Sequence, residues 1–110
     1  MRFVTVYAIM KISFKNEKER ELYQTVGSLT RVHGAQQAKK IIQRIEQLEA
    51  VASPQQLPGS ARFHEHSGER KGLFSVYLIH PYRLILLPTC KYQSWVEITS
   101  LQVYEVMTPH

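Results

Sequence analysis

The sequence predicts an α+β domain in which an N-terminal strand and a helical hairpin pack on one face of a mainly antiparallel sheet. Three observations carry this. Apolar residues alternate with period two near the start, recur with helical period through the first half, and return to period two after residue 60. The later segments are joined by short connectors, which favour antiparallel neighbours. Helices grouped ahead of strands form a layer covering one sheet face. The 110 residues make one domain, 1–110, with a modest core.

Met10 opens the first strand, MKISFK. The nine residues before it are either an upstream extension set by start-site choice or a lengthening of that strand. Asn16 is a helix N-cap, with Glu17 and Glu19 at the positive end of the helix dipole. The helix runs to about Val26 on a stripe of Leu22, Tyr23 and Val26. Gly27 and Gly34 punctuate the stretch that follows, and SLTRVH between them is a further helical turn. Residues 35–52 form the clearest helix, because Ala35, Ala38, Ile41, Ile42, Ile45, Leu48 and Ala52 share one arc while Lys40, Gln43, Arg44 and Gln47 face away. Glu49 breaks that arc. SPQQLPG ends the helix, and strands follow at 61–66, 73–79, 83–88 and 95–106, the last in one or two pieces.

Fourteen Lys and Arg against nine Asp and Glu give a net charge of +5, which favours a polyanion such as RNA or an acidic protein partner. Cys90 is the single cysteine, so an intramolecular disulfide and a multi-thiolate zinc site are excluded, and a reducing cytosol is expected. The early apolar run FVTVYAIM is too short to span a bilayer and lacks a signal-peptide cleavage site. GxxxxGK[ST], GxGxxG and GxSxG are absent, so nucleotide hydrolysis, dinucleotide binding and a serine-hydrolase elbow lack support. His64 and His66 in HEH have no nearby third carboxylate or thiolate, so no metal site and no cofactor are expected.

The stretch from Leu57 to Leu87 carries the candidate chemistry. With His80-Pro81-Tyr82 as a three-residue connection, Leu78 pairs with Leu84 and Val76 with Leu86, and these residues with Phe74 form the face that takes the helices. Ser75, Tyr77, Ile79, Arg83 and Ile85 then lie on the other face. In the preceding strand Phe63 points to the core, and alternation sends Arg62, His64 and His66 to the helix-free side. Such residues suit phosphodiester transesterification without a metal. Imidazole moves protons near neutral pH, and guanidinium presents a planar fork to phosphate oxygens. Tyr77 and Tyr82 are candidates for stacking on bases. Ser67 to Gly72, SGERKG, is a glycine-bounded turn that presents Arg70 and Lys71 to a nucleic-acid backbone or is a plain charged hairpin tip. Surface pairing of Arg62 and Arg83 with Glu65, Glu69 or Glu97 is the competing expectation.

The segment resembles the HigB branch of the RelE/ParE toxin superfamily. The motifs are Leu57-Pro58-Gly59, the basic and His-containing strand from Arg62 to His64, the turn Gly68-Glu69-Arg70-Lys71-Gly72, the strand serine Ser75, and Tyr82-Arg83-Leu84-Ile85. The resemblance covers about residues 10–110. It implies a microbial-ribonuclease-like domain that enters the ribosome, cleaves mRNA without metal, and is silenced by a HigA-like helix-turn-helix antitoxin, reaching operator DNA only through that antitoxin. Carried over by position, Arg62, His64, Arg70, Lys71 and Arg83 match the family's basic segment. This chain has Tyr77 where many relatives carry Arg, and it closes on Met107-Thr108-Pro109-His110 where many close on Asp-Tyr-His.

The expectation is therefore the toxin of a type II toxin-antitoxin pair, a ribosome-dependent mRNA endoribonuclease of the cytoplasm. Arg83 and Arg62 hold the scissile phosphate, His64 or His110 transfers protons, and Arg70 and Lys71 bind RNA backbone. The alternative is a non-catalytic interaction protein, either a ParE-like gyrase inhibitor or a degenerate toxin that binds its antitoxin and modulates operon repression. A basic RNA-binding domain without toxicity is the third reading.

Overall fold

The computed structural model describes residues 9–108. The question about the N-terminal extension falls almost wholly outside that range. Strand β1 (Lys11–Phe14) is followed by helices α1 (Glu17–Gln24), α2 (Val26–His33) and α3 (Ala35–Glu49), then by β2 (His64–Glu65), β3 (Phe74–Tyr77), β4 (Arg83–Pro88) and β5 (Ser100–Met107). The strands form one sheet in the order β1-β5-β4-β3-β2, parallel only between β1 and β5. This is the α+β class expected, with a mainly antiparallel sheet.

Asn16 caps α1, its side-chain oxygen accepting from the Glu19 N–H at 2.9 Å. The predicted extra turn at SLTRVH is the body of a full helix, α2, so the described residues hold three α-helices. Gly34, at φ +87°, is the single residue between α2 and α3; its N–H donates to the Thr30 carbonyl and its carbonyl accepts from the Ala38 N–H. A left-handed φ at a two-way cap is where glycine is needed. The clearest helix ends at Glu49 rather than residue 52, which leaves that carboxylate exposed at the terminus.

Leu29, Ala38, Ile41, Ile45 and Leu48 from the helices meet Phe74, Val76, Leu84, Leu86, Leu101 and Val103 from the sheet in one core. The predicted face of β3 and β4 is thus the buried one. The register differs by two residues: Val76 pairs with Leu84 and Phe74 with Leu86. The connection is longer than three residues. The Tyr82 N–H donates to the Ile79 carbonyl at 2.9 Å and the Leu78 N–H to the Tyr82 carbonyl at 3.1 Å, around a cis His80-Pro81 bond. Because the slip is even, every side chain keeps its predicted face.

Arg44 corrects the reading of α3. Its guanidinium is buried, not solvated: it donates to the Tyr77 carbonyl at 2.7 Å, to Gln47 at 2.9 Å and to the Ser60 carbonyl at 3.1 Å. Gln37, also buried, accepts from the Ile79 N–H at 2.9 Å. These two side chains fasten α3 to the end of β3 and to the turn that precedes Arg83.

Candidate functional site

Pairing across the sheet builds a row on the helix-free face. His64 opposes Ser75, Ser75 opposes Ile85, and Ile85 opposes Glu105. Beside it Tyr77 opposes Arg83. Adjacent strands lie about 4.8 Å apart, so His64 and Glu105 stand at the two ends of a row about 14 Å long at the backbone. The Arg83 guanidinium lies 4.7 Å from the Tyr77 ring centroid and donates to the Tyr77 hydroxyl at 3.4 Å. Stacking fixes the plane of the guanidinium fork. His64 and His66 stack at 5.4 Å, and the Tyr77 ring meets His64 edge-on at 6.4 Å.

His64 Nδ1 lies 2.8 Å from the Arg62 carbonyl oxygen. A carbonyl only accepts, so Nδ1 carries the proton and the neutral ring leaves Nε2 as a base facing outward from that bond. His66 is held below its ordinary pKa, first by burial and then by the positive charges of His64, Arg70 and Arg83. Two guanidinium groups and a second imidazole thus lie near one imidazole. Among the described residues the buried side-chain atoms without a hydrogen-bond partner are two, His66 Nε2 and Ser75 Oγ. Ser75 is 0% exposed. Orphaned buried polar atoms are rare in native proteins, and both belong to this one face.

The structure distributes the predicted site residues unevenly. It brings together His64, Tyr77, Arg83 and Arg70, the last through an ion pair with Glu105 at 3.4 Å. Arg62 is not among them. Its backbone is left-handed, at φ +52° and ψ +49°, so the extended alternation expected from residue 61 fails there. Arg62 lines a groove with Phe63 and Trp95, and Phe63 stacks on the core residue Phe74 at 5.0 Å. Arg62 thus departs from the alternation that set it beside Arg83, and it meets the site through its carbonyl, which His64 Nδ1 contacts. Tyr82 sits at the β3–β4 turn beside Val32, His33 and Gln37. Lys71 is exposed after a 3-10 turn spanning Gly68–Arg70. That loop is tied down by the Gly72 N–H donating to Glu65 at 3.1 Å, with Gly68 and Gly72 both at positive φ. His110 lies outside the described residues.

The competing surface pairs do not form either, since neither of the two ion pairs among the described residues engages Arg62 or Arg83. Two members of the site escape a sequence reading of catalytic residues. His66 was placed on the face by alternation but not given a role. Glu105 is hidden by a β-bulge. Val103 opposes Leu86 and Glu105 opposes Ile85, so Tyr104 is the extra residue and strict alternation from Leu101 and Val103 sends Glu105 to the wrong side. The available signal is that Val106, not residue 105, continues the apolar set.

No group of three His, Cys, Asp or Glu residues able to hold a metal occurs among the described residues, and no helix there is long and apolar enough to cross a membrane. Comparison with models of known protein families finds no match, and comparison with curated proteins finds none. The likeness to HigB-type toxins thus stands on the motifs quoted above.

Proposed function

We propose that this chain is a metal-independent endoribonuclease, the toxin of a type II toxin-antitoxin pair that cleaves mRNA at the ribosome in the cytoplasm. The observation that carries the RNA-cleaving part is the helix-free face, which gathers Arg83, Arg70, His64 and Glu105 with His66 and Ser75, the two residues with unpartnered buried atoms. The toxin, ribosome and HigA-like antitoxin rest on the motif resemblance.

In the reaction an RNA 2′-oxygen bonds to the adjacent phosphorus as its proton leaves, and the P–O5′ bond breaks as the 5′-oxygen takes a proton. The products are a 2′,3′-cyclic phosphate and a 5′-hydroxyl. His64 and Glu105, at opposite ends of the row, suit the two proton transfers, Glu105 accepting as a carboxylate and His64 donating from Nε2 when charged. The Arg70–Glu105 pair is long and about half exposed on both sides. Such pairs are worth little, so a substrate phosphate competes for Arg70 at small cost. Arg83, already stacked on Tyr77, addresses the phosphate as charge develops on it.

Removing one well-aimed donor costs about 10²–10³ in rate in characterised enzymes. Arg83→Ala is expected to lose cleavage by that factor and to lose growth arrest, while circular dichroism stays native. Mapping of mRNA 5′ ends after induced expression reads it. A folded Arg83→Ala variant with undiminished cleavage removes Arg83 from the mechanism.

The non-catalytic reading is favoured by one observation. With Arg62 at a separate groove and Arg70 paired to Glu105, Arg83 is, among the described residues, the one arginine on the face without an acidic partner. Relaxed plasmid DNA without new mRNA ends identifies a ParE-like gyrase inhibitor. Absence of both, with antitoxin binding intact, identifies a degenerate toxin.

A further inference from the structure

The groove that claims Arg62 has the composition of a nucleobase platform. It has a volume of about 270 Å³ and is lined by Pro54, Leu57, Pro58, Arg62, Phe63 and Trp95, with no carboxylate on its walls. Trp95 is the chain's single tryptophan and is 43% exposed. Its position is fixed rather than loose. A capping box between Ser94 and Glu97 closes the 3-10 turn Trp95–Glu97, and Ser53 Oγ donates to the Val96 carbonyl at 2.7 Å. The ring tilts against Phe63 with centroids 5.9 Å apart.

We propose that this groove is a subsite for a nucleotide of single-stranded RNA flanking the cleaved phosphate, its base stacked on Trp95 and its phosphate held by Arg62. The inference rests on the RNA reading above and extends it to a second contact. Three facts favour nucleic acid over a protein segment. Among the described residues the groove's only charge is a cation with no acidic partner, the chain as a whole is +5, and Arg62 itself supplies the carbonyl that orients His64. One residue thus borders both the groove and the catalytic face, so a strand laid across the site reaches both. Aromatic stacking tolerates any base, as a ribonuclease reading varied messages requires.

Because Trp95 is the only tryptophan, its emission reports on this groove alone. Full-length protein is titrated with a 2′-O-methyl hexanucleotide, which lacks the attacking hydroxyl and is not cleaved. Saturable quenching that weakens steeply with added salt is expected. Arg62→Asn removes the guanidinium while tolerating the left-handed backbone, so His64 keeps its carbonyl partner. It is expected to weaken binding about tenfold, the scale of one charge-assisted contact. Trp95→Ala is expected to weaken binding of a labelled hexanucleotide, read by anisotropy, about tenfold or more. Binding by anisotropy with unmoved Trp95 emission overturns the proposal, as does undiminished affinity in Arg62→Asn, or quenching by a proline-rich peptide but not by the oligonucleotide. Quenching with the expected Arg62 dependence in a protein that cleaves no RNA removes the nuclease reading and upholds the groove.

Discussion

The two faces of β3 differ by one residue in register and by nearly everything in chemistry. Phe74 and Val76 enter the core, where Phe63 stacks on Phe74 and the helices supply aliphatic neighbours. Ser75 and Tyr77 point the other way, into histidines, arginines and a glutamate. The first face resolves all it buries. The second leaves a fully buried hydroxyl and an imidazole nitrogen without partners, and sets Arg70 and Arg83 near that imidazole. Ser75 and Ile85 are both fully buried on that side, and the Ser75 hydroxyl is left without a partner. A stable scaffold and an unsatisfied surface on opposite sides of a single strand is the division of labour a binding site needs.

The comparison breaks most severely on the core side. Phe74→Ala removes the largest fully buried side chain among the described residues, together with its stack on Phe63. Phenylalanine-to-alanine changes at such positions cost about 3–5 kcal/mol, which is a large share of the stability of a small domain. Chemical denaturation is expected to show a correspondingly lower midpoint with an unchanged slope. A loss under about 1 kcal/mol shows that the site collapses to fill the space and that this face is less tightly packed than its burial indicates.

Arg44 links the two faces, and its removal is the next largest expected effect. Arg44→Met keeps much of the side-chain volume but strands the carbonyls of Tyr77 and Ser60, each of which now accepts from the guanidinium. A buried acceptor left unsatisfied costs about 1–3 kcal/mol. Burial lowers the Arg44 pKa from its ordinary value, yet three hydrogen bonds hold the charged form. Hydrogen exchange sharpens the test. The amides of Ile79 and Leu78 are expected to lose protection before those of β5, because Arg44 bonds the end of β3 beside them and makes no hydrogen bond to β5. Uniform loss across the sheet places Arg44 in global stability alone.

These residues also mark what the sequence makes legible. Fold class and the buried face of β3 and β4 follow from period two alone, and an even register slip at the longer turn leaves them untouched. Positions where the backbone departs from its period are not legible. Arg62 in a left-handed conformation leaves the strand before the alternation can turn it, and a single bulged residue moves Glu105 onto the site. Arg44 is concealed for another reason. A lone arginine on the polar arc of a helix reads as solvated, and only the tertiary arrangement shows that Tyr77 and Ser60 offer it carbonyls. The site was thus readable where it rests on regular strand, at His64, Tyr77 and Arg83, and unreadable where it rests on irregularity.

The smallest effect expected is also the one that separates the faces most cleanly, because it is a matter of protons. His66, with a pKa lowered by burial and by His64, Arg70 and Arg83, binds its proton less readily in the folded chain than in the unfolded one. Between the ordinary value near 6.5 and the lower folded value, the unfolded state therefore carries more protons, and stability falls as the pH falls. Above 6.5 the contribution is fully present. His33, lowered by burial alone beside α3, adds a slope of the same sign. The two are told apart by substitution. Denaturation midpoints followed from pH 7.5 down to 5.5 are expected to decline in the wild type and to decline less in His66→Gln, which removes the titrating group. Arg70→Gln is expected to reduce the His66 share without abolishing it, since burial, the largest cause of the lowered pKa, remains. If His66→Gln follows the wild-type slope while His33→Gln flattens it, the acid sensitivity belongs to the helical side, and the cations of the open face are farther from His66 in solution than their placement indicates.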